Sequence, residues 1–128
     1  MAELYLSVII CTYNRDKYIY NVLKSVAKNN LDTSLYEVVL VNNNSTDNTE
    51  SECKRFAINF PNVSFQYHVE LNQGLSYARN RGIVEAKGNI VVYVDDDATV
   101  NTEYLTTYYQ FFNKNKSIYS YFVTIYCH

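Results

Sequence analysis

Two kinds of pattern alternate along this chain, and the alternation limits its folds more than any other feature. Residues 5–11 (YLSVIIC), 36–41 (YEVVLV), 63–69 and 90–94 (IVVYV) have the length and the β-branched content of strands. After each, apolar residues recur at helical spacing: Ile19, Val22, Leu23, Val26 and Ala27; Cys53, Phe56, Ala57 and Phe60; Leu75, Ala78, Ile83 and Ala86; then Tyr104, Leu105, Tyr108, Phe111 and Phe112. The order β-α-β-α-β-α-β-α implies parallel strands joined by right-handed crossovers. Strands with continuous apolar runs belong to a sheet covered on both sides. The expected class is α/β, a mostly parallel sheet with helices on both faces, in a single domain spanning 1–128.

Local signals punctuate this pattern. Asn14 or Asp16 is an N-cap candidate for the first helix, and Asp47 with Glu50 has capping-box spacing before the second, which Pro61 stops. Gly74 frees the start of the third helix, which Asn72 is placed to cap, Gly82 lets it lie close to the sheet, and Gly88 stands where a C-cap glycine is expected. The fourth helix is expected from about Asn101.

Composition excludes several classes of function. Apolar residues are 48% of the chain and the formal net charge is -2, so the chain is a folding one without the broad basic field of a nucleic-acid binder. No apolar stretch approaches the roughly 18–20 residues needed to span a bilayer, and Met1-Ala2-Glu3 leads into a strand. Cys11, Cys53 and Cys127 are odd in number and widely spaced, which fits reduced thiols. A cytoplasmic location, peripheral at most to the inner face of the membrane, is expected. His68 and His128 fall into no ligand pattern.

In a parallel α/β sheet, ligands collect at the carboxyl ends of the strands near the point where strand order reverses. The segments Cys11–Asn14, Asn42–Ser45, Leu71–Gly74 and Asp95–Asp97 are therefore expected to share one rim. Three adjacent carboxylates, Asp95, Asp96 and Asp97, repel one another and are costly to desolvate, which points to a nearby cation. Mg²⁺ or Mn²⁺ takes one or two protein carboxylates and leaves positions for phosphate oxygens. A solvated acidic turn is the plain alternative. If the chain stays extended, Asp95 and Asp97 face one way and Asp96 the other. The first turn lacks the G-x-G-x-x-G of dinucleotide-binding domains.

Together, SVIICTYNR, VVLVNNNSTDNT, NQGLSYARNRG and VYVDDD resemble family 2 glycosyltransferases, in order and over residues 7 to about 112. The resemblance implies a Rossmann-like GT-A nucleotide-binding half. Such a half binds a nucleotide-diphosphate sugar and serves its transfer, with inversion, to a saccharide or other hydroxyl acceptor. By the same resemblance Thr12 and Tyr13 begin the nucleotide pocket, with Tyr13 offered to the base or else packed in its loop. Asn43 stands where the family contacts the base, and Asn42 and Asn43 replace the family's acidic pair; Asn42 and Asn44 also suit turn and cap roles. Arg79 matches an arginine facing the nucleotide, with an ion pair to the acidic loop as its other use. Asp95, with Asp96 beside it, faces ribose and sugar, and Asp97 holds the metal that bridges the phosphates.

Displacement at the anomeric carbon needs a base for the acceptor proton. The resemblance implies a carboxylate in a second, acceptor-binding half, and no Asp or Glu follows Glu103. The general base is thus expected beyond residue 128 in a truncated chain. A non-catalytic nucleotide-diphosphate-binding module is the alternative. Finally, Ile118 to Tyr126 reads as an aromatic, β-branched strand, which either mediates homo-oligomer formation through an exposed edge or completes the sheet's own edge.

Overall fold

The computed structural model describes residues 3–115 and 123–126. Its elements are β1 (Leu6–Thr12), α1 (Ile19–Ala27), a short 3-10 turn at Thr33–Leu35, β2 (Tyr36–Asn42) and α2 (Thr49–Asn59). There follow β3 (Phe65–Val69), α3 (Leu75–Glu85), β4 (Ile90–Tyr93), α4 (Tyr104–Lys114) and β5 (Val123–Tyr126). The five strands form one sheet in the order β3-β2-β1-β4-β5, and every pair is parallel. From β1 the chain steps outward to β2 and β3, then returns to lay β4 on the other side of β1. The order therefore reverses between β1 and β4.

The period of two along each strand divides the core between the two faces of the sheet. Leu6, Val8 and Ile10 of β1, with Val38, Leu40, Ile90 and Val92, pack against α1, α2 and α4 through Leu23, Phe56 and Leu105. Ile9, Val39, Val41, Val91 and Tyr93 face the other way, toward Ala78 of α3. Both faces are covered, as the uninterrupted apolar strands require.

Helix α3 departs from the expected pattern. Its buried residues are Ala78 and Gly82, while Leu75 and Ile83 are exposed. The cause is close approach: a Cβ on Gly82 would stand 2.6 Å from Cγ2 of Ile9. Small residues let the helix backbone sit almost on the sheet, and larger apolar ones are pushed to its flanks. This helix ends at Glu85 with Ala86 as its C-cap, so Gly88 has a different task, its N–H donating to Oγ of Ser7 at 2.8 Å. The expected side-chain caps are not formed at α1 or α2, whose N-caps are Tyr18 and Asn48, nor at α3, where Gly74 takes the place expected of Asn72. Ala57 is exposed on α2, and α4 begins three residues after Asn101.

Glu37 is the buried exception within the apolar strand β2. Its carboxylate accepts from the Ser7 hydroxyl (2.6 Å), Gln66 Nε2 (2.7 Å) and the Lys87 N–H (2.7 Å). Three donors replace the water it lost, and they tie β1, β3 and the link into β4 together.

Of the aromatic tail, Val123–Tyr126 continues the sheet's own edge beside β4, while 118–122 lie outside the described residues, as do Cys127 and His128. No helix among the described residues is long and apolar enough to cross a membrane.

Candidate functional site

Register decides which loops meet. Tyr93, the last residue of β4, pairs with Ile9, so β1 runs three residues further and the acidic segment after β4 rises alongside Cys11 and Thr12. Thr12 in turn pairs with Asn42, and Asn42 with Val69, which brings the loops after β2 and β3 to the same rim. There, between the ends of β1 and β4, opens a cavity of about 410 Å³. All four expected segments contribute to its wall, through Thr12 and Tyr13, Asn43, Gln73 and Gly74, and Asp95 and Asp96. Arg79 lines it from α3.

The acidic segment does not stay extended. A turn begins at Asp96, so Asp95 and Asp96 both line the cavity, while Asp97 is exposed and stands outside the lining. Burial pushes the Asp96 carboxyl above its ordinary value and Asp97 pushes the same way; the Thr12 hydroxyl, Arg15 and the Tyr13 N–H work against them. Arg15 Nε lies 3.5 Å from Asp96 Oδ1. The hydroxyl of Thr12 is buried without a hydrogen-bond partner of good geometry, its proximity to Asp96 notwithstanding. Beneath them, burial pushes the Cys11 thiol up to about 12, against the pull of Arg79. Arg79 itself lies over the ring of Tyr93, 5.4 Å from its centre.

Asn43 is the knot between two loops. Its side-chain amide donates to the carbonyls of Glu70 (3.0 Å) and Asn72 (2.9 Å), and its Oδ1 accepts from the Gly74 N–H at 3.0 Å. Its own carbonyl accepts from Gln73 Nε2 at 2.6 Å. Gly74 meets this bond with φ of 137°, a conformation glycine alone adopts readily. Both amide hydrogens are spent, which fixes the orientation of the group and leaves Oδ1 with capacity for one further hydrogen bond.

The loops after β1 and β2 are stapled in the same manner. Asn14, at φ of 51°, donates its N–H to Ser45 Oγ (2.9 Å) and accepts from the Thr46 N–H (2.8 Å) through Oδ1. One residue pair on, the Asp16 N–H donates to Asp47 and the Asn48 N–H to Asp16, each at 3.2 Å. Asn42 accepts from the Ser45 N–H within its own turn and donates to the Tyr67 hydroxyl of β3, and Asn44 takes a positive φ of 64°. The side chains read as helix caps are therefore braces that hold Tyr13 and Arg15 at the rim.

Arg15 and Tyr93 are wall residues outside the expected segments. Arg15 carried a signal, since it follows Tyr13 by two residues in a loop already assigned to the rim. Tyr93 carried none, because its ring is one more apolar position of a strand.

The family described as Glycosyl transferase family 2 matches residues 7–127. The chain belongs to that family. Among its relatives, the family 2 chain is 33% identical over 111 residues to poly(ribitol-phosphate) beta-N-acetylglucosaminyltransferase TarS of Staphylococcus aureus, covering 87% of this chain and 19% of TarS. It is 31% identical over 111 residues to minor teichoic acid biosynthesis protein GgaB of Bacillus subtilis, covering 87% of this chain and 12% of GgaB. The solved structure of TarS 1–349 in complex with UDP matches with a TM-score of 0.81 at 30% identity, over 88% of this chain and 33% of that one. A mannosyltransferase from Pyrobaculum calidifontis, solved with GDP-Man and Mn²⁺, matches with a TM-score of 0.75 at 31% identity, over 78% and 30% of the two chains. The fold is thus the α/β, GT-A-like one these structures share. This family 2 chain spans about a third or less of each of these relatives.

Proposed function

We propose that this chain forms the donor site of an inverting glycosyltransferase, binding a nucleotide-diphosphate sugar for transfer to a saccharide or other hydroxyl acceptor. The observation that carries the reading is a cavity at the strand-order reversal, walled by all four loops and lined by Thr12, Arg79, Asp95 and Asp96. Its volume is that of a small-molecule site, about 300–1,000 Å³ in general. The half-exposed ring of Tyr13 offers a stacking face to a base, and Asn43 one acceptor lone pair to a base N–H. Arg79 suits the diphosphate, and Asp95 with Asp96 suits ribose and sugar hydroxyls.

The chemistry of the donors present fits a divalent cation. Asp95, Asp96 and Asp97 supply oxygen only, and the mutual repulsion of Asp96 and Asp97 is a charge that Mg²⁺ or Mn²⁺ would relieve. Among the described residues no three His, Cys, Asp or Glu side chains are gathered as a metal site. We assign its protein contact to Asp97. A cation bound there supplies Lewis acidity to the leaving diphosphate. The chain's own residues bind and orient the donor, and none of them is assigned as the base that takes the acceptor proton. The free thiols of Cys11 and Cys53 suit a reducing, cytoplasmic setting.

Calorimetry with UDP and GDP, with and without Mn²⁺, tests the reading. Saturable binding strengthened by Mn²⁺, with the strengthening lost in Asp97→Ala, is expected. Binding indifferent to both Mn²⁺ and that substitution removes the metal role, and no binding of either nucleotide removes the donor site itself.

A further inference from the structure

The backbone of Arg15 is held on every side. Its N–H donates to Thr49 Oγ1 at 3.1 Å, and the Thr49 hydroxyl is aimed in turn by Asp47 at 2.6 Å. Its carbonyl accepts from the N–H groups of Tyr18 and Ile19, both at 2.9 Å, at the entry to α1. Its neighbours Asn14 and Asp16 are the two braces to the loop after β2. Four fixed points on one short loop exceed what a solvent-facing arginine needs.

The side chain is the opposite case. It lines the cavity, remains 44% exposed, and among the described residues makes one ion pair, Nε to Asp96 at 3.5 Å. A guanidinium carries five N–H donors in a planar fork, and a single contact of that length leaves the fork open. Arg55 on α2 shows a satisfied fork: Nε and Nη2 grip both carboxylate oxygens of Glu52 at 2.8 and 3.2 Å while the group lies over Tyr20 at 3.4 Å. Arg15 has a fixed base and a largely open head, in the wall of a cavity that Arg79, Asp95 and Asp96 also line.

We propose that Arg15 is a second cationic contact for the diphosphate of the bound nucleotide, reaching it from the loop after β1, beside Asp96. The inference rests on the donor-site reading above. Planar, bidentate recognition of phosphate is what the arginine fork does better than an ammonium. The pair with Asp96 keeps the head over the cavity before a ligand arrives, so little freedom is lost on binding.

The test is UDP affinity by calorimetry and uridine affinity by amide-shift titration, for the wild-type chain, Arg15→Ala and Arg15→Lys, each with its melting temperature. For Arg15→Ala, UDP affinity is expected to fall roughly ten- to a hundredfold, the span of a hydrogen bond to a charged group. Uridine affinity and melting temperature are expected to stay at wild-type values, and Arg15→Lys to recover part of the loss. An Arg15→Ala chain that binds UDP as the wild type does overturns the assignment and leaves the donor site standing. Equal loss for UDP and uridine also overturns it, because the residue is then only a brace. Failure of the wild type to bind UDP removes both readings together.

Discussion

Single residues show most clearly how one side chain can do work that its position in the sequence does not announce. Asn43 reads from sequence as a base contact, yet its amide bonds run to Glu70, Asn72 and Gly74, about thirty residues away. No local pattern carries such a partner. Asp47 is similar: it reads as a cap and acts as a brace. Partial burial pushes its carboxyl up, but the Thr49 hydroxyl and the N–H groups of Thr49 and Asp16 prevail and hold it below the usual value. A carboxyl whose folded pKa is depressed adds stability that is present above its unfolded value, near 4, and is lost as pH falls through the lower folded value. In urea unfolding followed from pH 6 down to pH 3, the wild type is expected to lose its advantage over Asp47→Ala as pH falls through that window. A difference that stays constant with pH would mean that the brace does not depend on charge.

At the scale of elements, strands were legible and helix faces less so. The β-branched runs at β1, β2 and β4 can only be strands buried on both sides, and they are. Helix α3 was legible in part: Ala78 and Gly82 bring it close to the sheet as expected, but Leu75 and Ile83 of the same pattern are exposed. Hydrophobic spacing finds the face of a helix only when bulk makes the contact. Gly82→Ala places a methyl against the side chain of the fully buried Ile9 and is expected to cost about 1–3 kcal/mol by overpacking. Chemical denaturation measures it, and Ser76→Ala at an exposed position of the same helix serves as control. A neutral Gly82→Ala would mean that α3 rides further from the sheet than described. Since Arg79 sits on this helix, a shift of α3 also moves the cavity wall, and UDP affinity is expected to fall with stability.

For the whole molecule, the convergence of four loops was legible because parallel topology alone sends every strand end to one side. What the pattern did not reveal is how tightly those loops are tied to one another, since the braces Asn14–Thr46, Asp16–Asn48 and Asn43–Gly74 each join segments far apart in the chain. The sheet's β5 edge remains the place where self-association is expected, because a strand end of the sheet offers unpaired backbone groups. Light scattering over a concentration series is expected to show a mass rising above that of one chain, and a constant single-chain mass would exclude this.

The central claim, that these loops form one nucleotide-diphosphate pocket, is tested most directly by titrating UDP with Mg²⁺ while following backbone amide resonances. Saturable shifts are expected at Tyr13, Asn43, Gly74, Arg79 and Asp95 together, with the far end of the sheet around Glu37 unmoved. Shifts confined to one loop, or centred on the Glu37 end, would contradict it.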